Sequence, residues 1–323
     1  MIKRVITQLA MVLLMQSFLY SQEYTFRFDQ VFDNREYFSD FGYPQTIFGA
    51  GLNTRVLFAV DSINEVAAGF YYFYENGSTL LGVPPKINLY YHYNAEKLEL
   101  YFGSFGRRDK LSMERRFLND TLNYFRPNIE GALLSYEGDH GYVRSFADWT
   151  GRVTETRRET FLIGAEGKLN LGTIYIQPAV LMYHNARSLD TAAQLPLQDN
   201  GIMSATIGFE SIMADEGIID ISAGVVSAYN RLRPADLNWG TGFVTNLMIQ
   251  HNIFGLDAVY YIGEPLHFEY GDPFYRSGNY GRADLFANPF RNSNIDAKLG
   301  WSFHFVRGEG MHHSQQILIS VSF

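Results

Sequence analysis

The residues best suited to chemistry are the histidines, and their surroundings in the sequence are not those of an enzyme. His313 precedes Ser314, but neighbouring residues of a strand point to opposite faces, so they do not form a base and nucleophile pair. No Gly-x-Ser-x-Gly, His-Glu-x-x-His or P-loop pattern occurs, and cysteine is absent. We therefore predict no catalytic residue, no metal site, no cofactor and no enzymatic activity. The eight histidines are His92, His140, His184, His251, His267, His304, His312 and His313.

A second candidate for chemistry is a cationic stretch at residues 106–126. Inside a channel, such a stretch would narrow the path and favour anions by lowering their electrostatic energy. The alternative is a solvated surface loop that pairs internally or with lipid phosphates. The candidate constriction residues are Arg107, Arg108, Lys110, Arg115 and Arg116, followed by Arg126 and set against Asp109, Glu114 and Asp120.

The first 21 residues predict an export signal. Lys3 and Arg4 precede a short apolar run at 9–15, and the small Ser21 follows at a plausible cleavage point. The run is shorter than the roughly 20 residues that a membrane-spanning helix needs. We predict a cleaved signal peptide at 1–21 and one domain at 22–323.

Composition and periodicity favour a transmembrane β-barrel for that domain. Aromatic residues make up 16% of the chain and charged residues only 19%, and the hydrophobic period is two. In 201–211, for example, apolar Met203, Ala205, Ile207 and Phe209 alternate with polar or small residues. Lipid-facing and water-facing residues alternate in this way along barrel strands. The formal net charge of −8 argues against nucleic-acid binding.

The strands that we predict are separated alternately by short turns and long loops, as in outer-membrane barrels. This pattern predicts an all-β, antiparallel up-and-down barrel of about 16 strands, or 14 if 23–32 and 280–290 are not strands. The predicted strands are 23–32, 45–60, 65–74, 87–94, 97–105, 127–137, 141–149, 158–166, 169–182, 200–212, 217–229, 240–251, 254–263, 280–290, 294–306 and 313–323.

Alternation is poor in three of these strands, 45–60, 127–137 and 169–182, where both faces carry apolar residues. A packed or partly plugged lumen is one explanation, and a misread register is the other.

Charged residues opposite apolar neighbours are expected to face the lumen, because a charge facing lipid at mid-depth costs about 2–4 kcal/mol. That requirement holds whether or not they contact a solute. The candidates are Arg27, Glu210, Asp220, Asp257, Asp296 and Lys298.

The last strand alternates apolar residues and ends on an aromatic one, at Ile317, Ile319, Val321 and Phe323. It resembles the C-terminal assembly signal of Gram-negative outer-membrane proteins, and with the other features the mature chain resembles the general porin-like class. The resemblance implies an outer-membrane location, folding by the outer-membrane assembly machinery and possible homo-oligomers, with contacts to membrane lipids and lipopolysaccharide.

The strand count and polar inner face predict a porin-like channel for passive passage of small hydrophilic solutes, with a preference for anions. The first alternative is a barrel subunit or anchor of a secretion or surface-assembly complex. The second is an outer-membrane barrel enzyme.

Overall fold

The protein is described by a computed structural model covering residues 22–108, 110–155, 157–186, 196–213 and 217–323. The predicted signal peptide at 1–21 lies outside the described residues. No helix in the described part of the chain is long and apolar enough to cross a membrane.

Sixteen antiparallel strands form one closed barrel, which confirms the predicted fold class. Each strand pairs with its neighbours in sequence, and β1 pairs with β16 from Arg27 opposite Ser322 to Glu36 opposite His313. Closure pairs the backbone groups that lipid could not satisfy. The strands are β1 (Gln22–Glu36), β2 (Gln45–Ala59), β3 (Asn64–Glu75), β4 (Lys86–Ala95), β5 (Leu98–Gly106), β6 (Asn128–Gly138), β7 (Gly141–Gly151), β8 (Thr160–Leu171), β9 (Ile174–Asn185), β10 (Gln198–Met213), β11 (Gly217–Leu232), β12 (Asn238–His251), β13 (Phe254–Gly263), β14 (Asn279–Arg291), β15 (Ile295–Val306) and β16 (Met311–Ser322).

Connections are short at one end of the barrel and mostly longer at the other, as predicted, although the outer connection at 307–310 is no longer than the turn at 60–63. At the short end, the Asp61 carboxylate accepts hydrogen bonds from the backbone of Ile63 and Asn64, which fixes a tight turn. Phe323 lies at this end, where its N–H donates to the carbonyl of Phe26. We take the short end as periplasmic and the other as the outer end.

Side chains alternate between lipid and lumen as the period of two predicts. On β10, Ile207 is 61% exposed on the outer surface of the wall, whereas Thr206 beside it is 1% exposed and points inward. The same alternation holds in β14 from Tyr280 to Leu285, up to a register shift between Ala287 and Phe290. β14 is one of the two strands whose prediction was least secure.

The strands with poor alternation were predicted in the correct register, and their inward apolar residues are explained by a packed lumen. Ile47, Ile129, Leu133 and Leu181 point inward and are almost fully buried. They are buried because outer loops fold into the barrel: residues 107–127, which contain the short helix α1 (Leu122–Phe125), and residues 264–278, which contain a single 3-10 turn at Pro273–Ser277. We call these segments the first and second lumen loops.

Candidate functional site

The first lumen loop is closed at its base by its own ends. The backbone N–H of Arg107 donates to the carbonyl of Pro127 across 2.7 Å. The Arg107 guanidinium pairs with Asp148 on β7, and Arg126 pairs with the same carboxylate at 3.3 Å. Asp148 is fully buried, so its charge must be compensated, and these two cations do so.

From this base the loop crosses the lumen to the opposite wall. Arg108 donates to Asp29 on β1 across 3.0 Å. Arg115 forms ion pairs of 3.0 Å with Asp257 on β13 and with Asp284 on β14. The charges of the loop therefore bind the wall from both sides instead of standing free in solvent.

The second lumen loop packs against the first. The Asp272 N–H donates to the carbonyl of Arg115, and the Asn119 N–H donates to the carbonyl of Tyr270, at 2.8 and 2.9 Å. Apolar residues of both loops then form a buried core in the outer half of the barrel, with Phe117, Leu266, Phe268 and Phe274 each at most 3% exposed.

Asp120 joins the loop to β14 at the centre of a charge network. Arg282, itself 5% exposed, pairs with Asp120 at 3.1 Å and with Asp284 at 2.8 Å. Burial would raise the pKa of Asp120, but the charges of Arg115 and Arg282 outweigh it and hold that pKa below its usual value. Asp120 is therefore ionised at neutral pH and bridges two cations.

Two other loop residues have shifted pKa values. Burial raises the pKa of Asp272, and Arg282 offsets the shift only in part. Burial lowers the pKa of Arg116 to about 10. Arg116 is 2% exposed and pairs with Glu114 of the same loop, so its charge is not presented to a solute.

Three cavities meet around the network. The largest of the three, about 490 Å³, extends from the lumen loops towards the periplasmic end, where Tyr175 and Asp220 line it. A second, of about 280 Å³, lies beside β1 and β16. A third, about 230 Å³, opens between the outer loops. Asp120 lines all three, so the first lumen loop divides the lumen at this residue.

The sequence-predicted lumen residues are distributed around the wall and do not form a single cluster. Asp257 binds Arg115 of the loop. Asp296 and Lys298 line the cavity of about 280 Å³. Three others pair with wall residues: Arg27 with Asp29, Glu210 with Lys168, and Asp220 with Tyr175. In the loop, Lys110 Nζ lies 2.7 Å from the Tyr101 hydroxyl.

Sequence reasoning missed the wall partners of the loop on β14, Arg282 and Asp284. Arg282 and Asp284 alternate with apolar or small residues on β14, a pattern that could have identified them. The pairing of Asp148 with Arg107 could not be predicted from the sequence, because the two residues are 41 positions apart.

Several histidines form hydrogen bonds within the barrel wall. His304 is buried between the hydroxyls of Tyr37 and Tyr280, at 3.1 and 2.7 Å. His92 lies between Glu65 and Glu99 at 2.7 and 2.9 Å. Among the hydrogen bonds of the described residues, none joins a histidine to a serine. The described residues also contain no group of three or more histidines and carboxylates able to hold a metal ion.

One histidine belongs to a polar cluster on the outer surface of the wall. Asn34 donates to Gln315 at 2.8 Å and to Glu36 at 3.2 Å, and it accepts from the Thr46 hydroxyl at 2.7 Å. The Gln315 amide lies 2.8 Å from His313 Nδ1. We call these five residues the rim cluster.

The direction of the rim cluster follows from its neighbours on the same strands. Asp33 and Ser314 are fully buried on the lumen side, so Asn34 and His313 point outward. The His313 ring contacts Trp301, a side chain 48% exposed on the lipid-facing surface. The cluster therefore faces the membrane near the outer end of β1, β2 and β16.

Part of this cluster was predicted to lie in a loop. The predicted first strand ends at residue 32, whereas β1 continues to Glu36. The four extra residues are held by ladder pairing with β16, from Asp33 opposite Gln316 to Glu36 opposite His313. Pairing between the two ends of the chain leaves little local signal, so the extension was not predicted.

Comparison with known proteins gives a family and a set of structural neighbours. The model of a family described as lipid A 3'-O-deacylase-type matches residues 18–305. No curated protein sequence matches the chain.

Solved structures of bacterial outer-membrane proteins share the fold. OccAB1 of Acinetobacter baumannii has a TM-score of 0.58 at 8% identity, covering 95% of this chain and 97% of that one. An anion-selective porin from Comamonas acidovorans has a TM-score of 0.58 at 9% identity, covering 94% and 99%. A loop L8 deletion mutant of OmpT from Vibrio cholerae has a TM-score of 0.58 at 8% identity, covering 94% and 99%. The predicted bacterial outer-membrane β-barrel of the porin-like class is confirmed at the level of the fold.

The family match corrects one prediction. The absence of familiar sequence motifs led us to predict that the protein is not an enzyme, and that prediction is wrong, because the matching family is one of enzymes. The motifs that we searched for belong to other hydrolase folds, and residues of a barrel wall that meet only through strand pairing carry no such motif.

Proposed function

The chain belongs to the lipid A 3'-O-deacylase-type family, and from this premise we propose that it is an outer-membrane hydrolase that removes the ester-linked acyl chain from the 3' oxygen of lipid A. The observation that carries the proposal is the position of the rim cluster. His313 and its polar neighbours lie on the lipid-facing wall near the outer end. Lipid A, held in the outer leaflet, reaches that surface without leaving the membrane.

The rim cluster adjoins an apolar surface that suits the substrate. Below Asn34 and Thr46 on the same face are Phe32 and Phe48, whose rings lie 5.9 Å apart. On the other side of His313 are Trp301 and Phe303, with ring centroids 4.9 Å apart. A polar group above aromatic side chains matches the ester linkage of a lipid, where a sugar oxygen joins an acyl chain.

The chemistry is ester hydrolysis with His313 as the base. His313 takes a proton from water as the water oxygen bonds to the acyl carbonyl carbon. The carbon to sugar-oxygen bond then breaks, and the sugar oxygen receives the proton from His313. Asn34, Gln315 and Thr46, which bind one another in the absence of substrate, supply hydrogen-bond donors to the charged intermediate.

The test is fatty-acid release from lipid A by the purified barrel in detergent micelles. Replacement of a general base lowers the rate by about 10²–10⁴-fold, so His313→Ala should abolish most of the release. His251→Ala is the matched control, since His251 is an exposed histidine at the periplasmic end of β12. Equal release by wild type and His313→Ala would reject His313 as the base.

A second candidate function is a narrow channel for small hydrophilic solutes with a preference for anions. The observation that favours it is the series of three cavities that meet at Asp120. Arg108 is the cation of the first lumen loop best placed to affect a solute, since its side chain is 34% exposed and lines two of these cavities.

Reversal potentials in planar bilayers test this second candidate. We expect Arg108→Glu to shift selectivity towards cations, because it replaces a positive charge beside the path with a negative one. Lys97→Glu, at a periplasmic turn, is the control and should have little effect. A barrel that gives no discrete channel events would contradict the channel function. The assembly machinery as a folding partner, possible homo-oligomers and the role as a secretion-complex subunit stay predictions.

A further inference from the structure

A groove lies on the lipid-facing wall beside the rim cluster. Its floor is Gly281 on β14, and its walls are the rings of Tyr260 on β13 and Phe305 on β15, with Met311 at the side. The groove encloses about 530 Å³. Below Gly281 the same outward face carries Ala283, opposite Ala258. Because both side chains are small, the groove continues towards the membrane centre.

The upper end of the groove is charged. Arg307 and Glu309 border it. The Glu309 carboxylate is bound by His312 Nε2 at 3.0 Å, whereas no ion pair of Arg307 is formed among the described residues. An exposed arginine above an apolar groove is complementary to a phosphate above an acyl chain.

The groove and the rim cluster form one continuous surface. Met311 and His313 are two residues apart on the same face of β16, about 7 Å along the strand. Phe303 is the register partner of His313 and the neighbour of Ala283. A lipid whose acyl chain lies in the groove thus has its upper acyl linkages beside His313.

We propose that the groove over Gly281 binds an acyl chain of lipid A while Arg307 binds a phosphate of the same molecule, which presents the ester to the rim cluster. The inference rests on the proposed deacylase function for its substrate, but binding is measurable without cleavage. It identifies Gly281 and Arg307 as positioning residues, Gly281 for the acyl chain and Arg307 for the phosphate.

The test uses the absence of cysteine from the chain. Leu285→Cys carries a bimane fluorophore on the lipid-facing side of β14 below Gly281 and Ala283, and Ala147→Cys carries it on the lipid-facing side of β7, far around the barrel. Both labels are placed in vesicles of phosphatidylglycerol with brominated acyl chains, which quench bimane, and lipid A is then titrated in. All measurements are made with and without His313→Ala, so that the lipid A stays intact in one series.

We expect lipid A to relieve quenching at position 285 at a mole fraction about fivefold lower than at 147, as one added arginine–phosphate contact provides. Arg307→Gln should remove most of that difference, whereas Arg291→Gln at the periplasmic end of β14 should not. Gly281→Leu should abolish it, and it should fold, because a Cβ at 281 would meet Tyr260 and Phe305 at 3.7–3.8 Å, an ordinary contact distance.

Equal lipid A dependence at both positions would overturn the groove as a lipid A site. Relief that depends on protein concentration instead of lipid A would overturn it as well, because a second copy of the chain would then be the occupant. Preferential binding without any fatty-acid release would keep the groove and reject the deacylase function, so the two proposals fail separately.

Discussion

Arg107 shows how one side chain attaches the first lumen loop to the wall. Its guanidinium lies 5% exposed against Asp148, which is fully buried. Removal of one partner from a buried pair leaves an uncompensated charge, which costs about 3–5 kcal/mol. Lys97 and Asp139 form an ion pair of 2.9 Å at an exposed turn. Such surface pairs contribute about 0–1 kcal/mol.

We therefore predict that Arg107→Ala lowers the free energy of unfolding by about 3 kcal/mol, at the low end of that range because Arg126 still compensates Asp148. Lys97→Ala should lower it by less than about 1 kcal/mol. Urea unfolding in lipid vesicles, followed by tryptophan fluorescence, measures both. Equal losses for the two variants would show that the buried Arg107 pair contributes no more to the free energy of unfolding than an exposed pair does.

At the scale of elements, the first lumen loop is ordered by its contacts with β1, β13, β14 and the second lumen loop. Asp120 is the residue through which the loop holds Arg282 of β14, at 3.1 Å. Without that carboxylate, Arg282 and the loop's own Arg115 repel each other. The loop should then leave its position more often, while the barrel wall stays closed.

Limited trypsin digestion tests this role, since the loop contains several arginines. We expect Asp120→Asn to increase the rate of cleavage within 107–127 by about tenfold or more, because local opening becomes more frequent. Asp139→Asn, at an exposed turn, is the control and should be cleaved like the wild type. A loop that stays equally resistant in Asp120→Asn would mean that its apolar contacts alone hold it in the lumen.

At the scale of the whole molecule, one wall carries two different surfaces. Its inner face binds the lumen loops through arginine and carboxylate pairs, and its outer face carries apolar residues interrupted by the rim cluster and the groove. Because successive residues alternate, Asp33 and Asn34, or His312 and His313, serve opposite faces of the same strand. A solute path and a lipid site can therefore occupy one barrel without sharing residues.

The sequence was sufficient to predict the strands but not the candidate site. Period-two patterns such as Met203 to Phe209 identify strands because lipid and lumen impose them locally. The lumen loops, by contrast, supply apolar partners for Ile129 and Leu133 from distant parts of the chain, so those strands looked irregular. The rim cluster combines residues near both ends of the chain, Asn34 and Gln315, which only barrel closure brings together.

The central claim, that the outer surface of this wall hydrolyses an acyl ester of lipid A, is tested most directly by mass spectrometry of lipid A from Gram-negative cells that express the protein. We predict the loss of a single acyl chain from the 3' position in cells with the wild type and with His251→Ala, and intact lipid A in cells with His313→Ala. Intact lipid A in cells whose outer membrane contains the folded wild-type barrel would contradict the claim.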